Sequence, residues 1–342
     1  MSKTSQPTIV DLTAVIVAVT DNEPRILLVE SEPTQSTGGT GTTADSKLPA
    51  SRLSLPNGPF NPDTDESLES GLRSLVEAQT GLDLYYVEQL YTFGNRNRDL
   101  REIGGGPRIV SVAYIALAYE ELVDEPNANW HDWYRFLPWE DWRLGQPALI
   151  NEHIAPALRR WVQDSRNLGN RRQRQERVNV TFGLRNTAEM DSVLCPERYE
   201  LLYEAGLADE ARRDHLSDEN SSSTTSCEEM GTPLSSDHRR ILATALGRLR
   251  GKLAYRPVVF ELLPGEFTLL QLQRVVEALS GAELHKQNFR RLVNNANLVE
   301  SIGRNTALGR GRPAELFRFR REVLGEKLTV GLSRPMLRGI EK

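Results

Sequence analysis

The 342-residue sequence contains few cysteines, no long apolar run and no internal repeat. Its two cysteines, Cys195 and Cys227, lie far apart in unlike contexts, which excludes both a disulfide framework and a cysteine-based zinc site. No apolar stretch approaches the roughly 18 residues of a membrane-spanning helix, and the first residues lack the charged-then-apolar order of a signal peptide. The five histidines show no metal-ligand spacing, and we assign them no catalytic role. We therefore expect a cytoplasmic protein.

Charge is distributed unevenly along the chain. The net charge is −5, from 42 Lys and Arg against 47 Asp and Glu. Residues 238–342 contain 20 basic and 9 acidic residues, a net of +11, whereas residues 1–237 contain 22 and 38, a net of −16. A basic module joined to an acidic body is typical of a protein that binds a polyanion through one domain and senses a signal through another.

Two segments are too polar to form a packed core. Residues 32–50 are rich in Thr, Ser, Gly and Pro, and residues 214–236 are polar and acidic. Neither has enough apolar surface to offset the entropy of ordering the chain. We predict a disordered loop between two strands for the first segment and a disordered linker for the second. A chain of this length is then most simply two domains.

A helix-turn-helix pattern lies in the basic part of the chain. Thr268 and Gln271 form a Thr-x-x-Gln capping box at the start of one amphipathic helix, and a second helix begins near His285. Phe289 and Val293 mark the buried face of this second helix. Arginine, asparagine and glutamine on the opposite face suit the edges of guanine and adenine in a DNA major groove. The DNA-contacting residues that we predict on this helix are Lys286, Gln287, Asn288, Arg290, Arg291 and Asn294.

A hairpin follows this helix pair and completes a winged-helix pattern. Glycines and a proline over residues 309–313 form a tight turn, and residues 316–320 alternate like a half-buried strand. Phe317 and Phe319 then face the core, while the neighbouring arginines face solvent. Arginines beside such a turn suit phosphates or a minor groove. The wing residues that we assign to DNA are Arg304, Arg310 and Arg312.

The amino-terminal part of the chain alternates strands with a helix. We predict a helix over residues 66–80 that ends at Gly81, and strands over residues 8–19, 25–30, 85–93 and 108–118. The order of strand, Leu-Pro-x-Gly turn, helix, Thr-Gly-Leu and strand resembles the Nudix family. That resemblance implies an α/β domain with a mixed sheet and helices on both faces.

The Nudix signature, G-x5-E-x7-R-E-U-x-E-E-x-G-U with U an aliphatic residue, has lost its metal-binding residues in this sequence. When Gly81 is aligned with the second glycine, Glu66 matches the first glutamate, but the three later glutamate positions hold Leu75, Ala78 and Gln79. In the family these glutamates converge on Mg²⁺ or Mn²⁺, because residues three and four apart share one helix face and hard cations need several oxygen ligands. We therefore predict no metal site and no pyrophosphate hydrolysis.

A nucleotide pocket can persist without the metal chemistry. Residues 91–114 resemble the strand pair of ADP-ribose-type Nudix proteins. Arginine guanidinium groups match the oxygens of a pyrophosphate, and an aromatic ring can stack on a base. Core packing for the aromatic ring and surface ion pairs for the arginines are the alternatives. The ligand-binding residues that we predict are Gly58, Phe93, Arg98, Arg101 and Arg108.

A degenerate Nudix domain followed by a winged helix resembles the Nudix-related transcriptional regulators of NAD metabolism (NrtR-type). The most specific matching motifs are Asp-His at residues 237–238, Phe-x-Leu-Leu-Pro-x-Glu-Phe-Thr-Leu at 260–269, Asn-Phe-Arg-Arg at 288–291 and Gly-Arg-Pro-Ala at 311–314. The resemblance implies a homodimeric bacterial repressor that binds a palindromic operator in double-stranded DNA near NAD biosynthesis or salvage genes. It also implies ADP-ribose or a related nucleotide as the effector that weakens DNA binding.

These patterns predict four segments and leave two other functions open. The segments are a Nudix-like sensing domain over residues 8–165, a connecting helical segment over 166–213, the linker over 214–236 and an α+β winged helix-turn-helix domain over 237–325. One other function is a Nudix-type nucleoside diphosphate hydrolase with an atypical metal site, against which the missing glutamates argue. The other is a nucleic-acid-binding adaptor without a ligand response, which is equally compatible with the basic charge.

Overall fold

The computed structural model of the chain describes residues 7–30, 53–103, 105–120, 123, 125–184, 191–214, 228–255, 258–306 and 313–321. The loop predicted over residues 32–50 lies outside the described residues. Within the described part, no helix is both long and apolar enough to cross a membrane.

The amino-terminal half is built on a mixed sheet. Its strands are β1 (Thr8–Thr20), β2 (Glu23–Glu30), β3 (Leu53–Ser54), β4 (Asn57–Pro59), β5 (Tyr86–Phe93), β6 (Arg108–Leu117) and β7 (Ala128–Asp132). The order is β3-β2-β1-β6-β5, with β4 paired to β1 and β7 paired to β2. β1 and β6 are parallel, and the other pairs are antiparallel. This register places β4, the loop after β5 and the start of β6 at the end of the sheet where β1 begins.

One face of the sheet is covered by α1 (Leu68–Thr80). Successive side chains of a strand point to opposite faces, and along β1 this alternation sends Ala14 and Ile16 toward the helix. There they pack with Leu72 and Val76 in an apolar cluster.

The opposite face is covered by a helix from much later in the chain. The remaining helices before the winged-helix module are α2 (Leu100–Ile103), α3 (Ala155–Gln163), α4 (Leu168–Phe182), α5 (Cys195–Glu204), α6 (Asp209–Asp214) and α7 (His238–Tyr255). Ile241 and Leu249 of α7 belong to the same apolar cluster as Val15 and Val17 of β1. The first half of α7 is buried on nearly every side, as expected of a helix inside a core. The sheet therefore has helices on both faces, as predicted.

The carboxy-terminal module is a helix pair with a three-stranded sheet. It contains β8 (Phe267–Thr268), α8 (Leu269–Ser280), α9 (Lys286–Ala296), β9 (Val299–Thr306) and β10 (Ala314–Phe319), in sheet order β8-β10-β9. Thr268 caps α8 and forms the predicted capping box with Gln271. Gly281 ends α8 with a φ of 66°, a backbone conformation that glycine adopts without strain. The helix pair and the wing hairpin agree with the sequence prediction.

A continuous apolar core joins this module to the amino-terminal domain. Phe267, Leu272 and Phe289 of the module belong to the same cluster as Val15 of the first strand. Within the module, Phe319 of the wing stacks on Phe260 with ring centroids 4.3 Å apart. The winged-helix module therefore packs directly on the domain that precedes it.

The prediction of a disordered linker over residues 214–236 was wrong for its last part. Residues 228–236 pack on the amino-terminal domain, and Met230 and Leu234 are buried in the core. The Ser235 amide donates a 2.8 Å hydrogen bond to the carbonyl of Leu53. Two apolar side chains anchor this stretch although its average composition is polar. Residues 215–227 lie outside the described residues.

Candidate functional site

The recognition surface predicted on α9 is exposed as a unit. Phe289 and Val293 are buried and fix the helix on the core. Gln287, Arg291 and Asn294 are spaced by four and three residues, so they share the opposite face. The exposed residues of α9 include all six that we predicted to contact DNA, namely Lys286, Gln287, Asn288, Arg290, Arg291 and Asn294. The geometry thus presents guanidinium and amide groups, the groups that read base edges, on one side of a rigidly packed helix.

The wing presents a second set of arginines. β9 and β10 pair antiparallel, and Arg304 on β9 is exposed and forms an ion pair with Glu266. Arg318 on β10 is likewise exposed and pairs with Glu300. A phosphate at Arg304 must therefore compete with a carboxylate. The other two predicted wing contacts, Arg310 and Arg312, lie outside the described residues.

The helix face that carries metal ligands in Nudix enzymes has different contacts here. Leu75 lies over Gly58, where an added Cβ would be only 2.6 Å from its Cδ1 atom. Gln79 exchanges two hydrogen bonds with the backbone of Asn57, donating to the carbonyl at 2.8 Å and accepting from the amide at 3.2 Å. Within the described chain, no three His, Cys, Asp or Glu side chains are grouped to hold a metal ion. The face fastens the β4 loop to α1.

Two of the three predicted phosphate-binding arginines lie partly exposed at this end of the sheet. Arg101 forms ion pairs with Asp99, at 2.9 Å, and with Asp11 of β1. Burial raises the pKa of Asp99, but its contacts with Arg101 outweigh this and bring the pKa below its ordinary value of 3.8. Arg108 donates to the carbonyl of Gly94. These guanidinium groups lie between the end of β5 and the start of β6 and form the accessible part of the candidate nucleotide site.

Arg98 and Phe93, also predicted to bind a ligand, are not open to one in this conformation. Arg98 donates two hydrogen bonds to Asp237, at 2.6 and 3.1 Å, and both side chains are at most 3% exposed. Phe93 is buried in the core and makes an edge contact with Tyr91. The prediction missed this arrangement because Asp237 is 139 residues away from Arg98 in the sequence.

The amino end of α7 forms one wall of the candidate nucleotide site. Ser236 donates a 3.4 Å hydrogen bond to Asp99, and Asp237 holds Arg98. His238 accepts from the Leu55 amide at Nδ1, and its Nε2 atom lies 3.1 Å from the side-chain amide of Asn57. Burial, with Arg98 as the next cause, lowers the pKa of His238 to about 3, so this imidazole is neutral. The sequence signals for these residues are the Asp-His motif at 237–238 and the polar Ser-Asp-His run at the start of an apolar helix.

The carboxy end of α7 is fixed to the helix pair by Arg250. Its guanidinium donates to the Glu140 carboxylate at 2.6 Å, to the Glu140 carbonyl at 2.8 Å and to the carbonyl of Leu279 in α8 at 3.2 Å. Tyr134 donates to the carbonyl of Ala278 at 2.7 Å. These contacts set the orientation of α8, and thus of α9, on the amino-terminal domain.

Glu140 is the centre of this buried contact. Arg198 of α5 donates to its carboxylate at 2.5 and 2.8 Å, opposite Arg250. Burial raises the pKa of Glu140, but the charges of Arg198 and Arg250 outweigh burial and bring the pKa below its ordinary value of 4.5. Neither Glu140 nor Arg250 was singled out from the sequence, because their partners come from four distant segments.

Comparisons with known proteins agree with the geometry. Residues 259–319 match the model of the NrtR DNA-binding winged helix domain. The ADPR responsive transcriptional repressor NtrR of Acinetobacter baylyi is 37% identical over 86 residues, which are 25% of this chain and 34% of that protein. The chain thus matches about a third of the length of this curated relative.

Solved structures extend the similarity to the fold of the whole chain. The crystal structure of Shewanella oneidensis NrtR complexed with a 27mer DNA covers 92% of this chain and 95% of its own, with 21% identity and a TM-score of 0.51. A second crystal structure, of Shewanella oneidensis NrtR, covers 91% of this chain and 94% of its own, with 20% identity and a TM-score of 0.50. The sequence-based resemblance and fold class are confirmed: residues 259–319 match the NrtR winged helix model, and the chain as a whole has the Nudix-like and winged-helix fold of Shewanella oneidensis NrtR.

Proposed function

We propose that the protein is a sequence-specific DNA-binding transcriptional repressor of NAD metabolism genes, in which a Nudix-like domain senses ADP-ribose or a related nucleotide. The observation that carries this proposal is the exposed Gln287, Arg291 and Asn294 face of α9 on an NrtR-type winged helix. The printed name of the Acinetobacter relative, which describes that protein as an ADPR responsive repressor, supports the choice of effector. Arg98, Arg101 and Arg108, which lie between the end of β5 and the start of β6, supply cations suited to the phosphates of this effector.

The proposed binding unit is a homodimer in the cytoplasm. A two-fold dimer of winged helices reads two half-sites about one DNA helical turn apart, so its operator is a palindrome. The effector acts by preferring the arrangement of the dimer in which the two α9 helices no longer match that spacing.

We further propose that the Nudix-like domain does not hydrolyse nucleoside diphosphates. The supporting observation is that Leu75 and Gln79 use the former metal-binding face to hold the loop at Asn57 and Gly58. Hard divalent cations need several oxygen ligands, preferably carboxylates, and this face of α1 supplies an aliphatic side chain, Ala78 and a neutral amide.

Placing glutamates on this face is expected to create a metal site. The variant Leu75→Glu/Ala78→Glu/Gln79→Glu should bind Mn²⁺ in calorimetry, because the three carboxylates converge on one helix face. The matched control, Leu75→Gln/Ala78→Gln, leaves Gln79 in place, carries the same bulk without charge and should bind none. If wild type and control take up Mn²⁺ as strongly as the glutamate variant, the domain has a metal site elsewhere and the non-enzymatic proposal fails.

The variant Arg291→Ala is expected to weaken operator binding by roughly 1–3 kcal/mol and to relax base preference at one position of each half-site. The reason is the position of Arg291 in the centre of the exposed face of α9. Fluorescence anisotropy with operator and scrambled duplexes measures both effects. Arg172→Ala, which removes an exposed arginine from α4, is the control and should leave affinity unchanged. An equal loss on operator and scrambled DNA makes Arg291 a phosphate contact instead.

Selection of random duplex DNA by the purified full-length protein, with and without ADP-ribose, tests the proposed function. We expect enrichment of one palindrome, and loss of that enrichment when ADP-ribose is present. A palindrome unaffected by ADP-ribose contradicts the choice of effector. Recovery of no preferred sequence contradicts sequence-specific regulation and favours the adaptor hypothesis.

A further inference from the structure

α7 connects the candidate nucleotide site to α8, the helix that precedes the predicted DNA-binding helix α9. Its amino end meets the candidate nucleotide site through Asp237 and His238, and Arg250 near its carboxy end holds α8. An α-helix rises about 1.5 Å per residue, so the 18 residues of α7 extend over roughly 27 Å. A displacement of the amino end of this helix also displaces its carboxy end.

Asp237 forms an ion pair with Arg98, whose guanidinium group is also suited to a phosphate. The Nε and Nη2 atoms of Arg98 donate two hydrogen bonds to the two carboxylate oxygens of Asp237. The same guanidinium edge fits two oxygens of a phosphate group equally well. Because one edge serves one partner, a phosphate and Asp237 exclude each other there.

The more exposed arginines lead toward this pair. Arg101 and Arg108 are partly open to solvent, so an anion can reach them at this end of the sheet. Arg101 holds Asp99, and Asp99 in turn accepts a hydrogen bond from Ser236, the residue before Asp237. An anion that draws Arg101 away from Asp99 therefore loosens the chain directly in front of α7.

We propose that Asp237 is an internal competitor for the nucleotide: the diphosphate of the effector replaces the Asp237 carboxylate on Arg98, and the freed end of α7 moves and repositions the DNA-binding helices. This inference rests on the proposed function and adds a mechanism of regulation to it. Loss of the two Arg98 hydrogen bonds leaves the buried Asp237 carboxylate only its longer ion pair with Arg240, at 3.6 Å. A buried carboxylate that loses its hydrogen bonds is unfavourable, so Asp237 shifts once Arg98 is taken. The opposite end of α7 carries that movement to α8 through Arg250.

The variant Asp237→Asn tests the competition directly. It weakens the competitor and keeps its shape, so the full-length protein should bind ADP-ribose about 5- to 150-fold more tightly, the range of ordinary allosteric couplings. It should also bind the selected operator more weakly in the absence of ADP-ribose. Calorimetry gives the first affinity and fluorescence anisotropy the second. Glu204→Gln, which neutralises the carboxylate paired with Arg177 between α4 and α5, should behave as wild type. A folded Asp237→Asn protein whose affinity for ADP-ribose is unchanged or lower overturns the proposal.

Amide hydrogen exchange on the unmutated protein gives a second test that does not depend on the folding of a variant. Saturating ADP-ribose should speed exchange of the amides from 236 to 241, while a comparable excess of AMP, which has no diphosphate, should not. Exchange that is unchanged or slower at these amides with ADP-ribose overturns the proposal. The wild-type measurements report separately on the proposed function: a protein that binds neither operator nor ADP-ribose contradicts that function, whereas one that binds both with α7 undisturbed contradicts only this mechanism.

Discussion

Replacement of Glu140 by glutamine is expected to destabilise the protein by about 3–5 kcal/mol, the usual effect of removing one partner from a buried ion pair. Arg198 and Arg250 are both fully buried and both donate to this carboxylate. Glutamine retains one oxygen but not the charge, so two buried guanidinium groups lose their counter-ion. Urea denaturation of wild type and variant measures the difference.

The same variant is expected to remove the part of the acid sensitivity of the fold that Glu140 contributes. Because the folded-state pKa of Glu140 lies below its ordinary value of 4.5, its stabilising contribution is complete above that value and is lost as the pH falls toward the folded pKa. The stability gap between wild type and Glu140→Gln should therefore be constant near neutral pH and narrow below about pH 4.5.

The exposed pair of Arg177 and Glu204 provides the control for both measurements. Ion pairs of this kind contribute about 0–1 kcal/mol, so Glu204→Gln should change stability little. A Glu140→Gln protein as stable as this control would mean that the buried cluster of Glu140, Arg198 and Arg250 does not hold α7 and α8 in place.

Replacement of Phe289 by alanine is the second change with a large expected effect. Phe289 and Val293 are the two fully buried side chains of α9, and truncation of a buried phenylalanine costs roughly 3–5 kcal/mol. α9 should then lose its fixed position, so that operator binding disappears. Circular dichroism with a denaturant titration and anisotropy with the operator measure the two losses.

Asn295→Ala on the same helix is the matched control, because Asn295 is exposed and its removal leaves the core intact. ADP-ribose binding by the Phe289→Ala protein should persist where the amino-terminal domain stays folded, which separates damage to α9 from general unfolding. A Phe289→Ala variant with wild-type stability and operator affinity would refute the assignment of the buried and recognition faces of α9.

Local signals in the sequence were sufficient for the elements and for the recognition face. The capping box of Thr268 and Gln271, the glycine after each of α1 and α8, and the spacing of Phe289 and Val293 act within a few residues. Helix caps and helix faces depend on residues that are close together in the sequence. The sequence therefore predicted the bounds of α1 and the starts of α8 and α9 to within about two residues, the usual uncertainty of helix ends. It also predicted which side of α9 faces solvent.

Long-range pairing could not be predicted in this way. The partners of Arg98 and Arg250 lie more than a hundred residues away in the sequence, and one sequence shows only that both are arginines. The sequence alone shows that the Nudix glutamates are missing. It does not show that Gln79 hydrogen-bonds to the backbone of Asn57, because this contact depends on how the loop folds. Asp237 and His238 could likewise be identified as a motif, but their contacts with Arg98 and Leu55 at the candidate nucleotide site could not be predicted.

In the proposed regulator, nucleotide binding and DNA binding share one coupling free energy. A reciprocal titration measures this coupling. Operator affinity is measured with and without saturating ADP-ribose, and ADP-ribose affinity with and without saturating operator, all at one salt concentration because DNA affinity depends strongly on salt. We expect each ligand to weaken the binding of the other by the same factor, about 5- to 150-fold. Two affinities that are each independent of the other ligand would contradict this coupling.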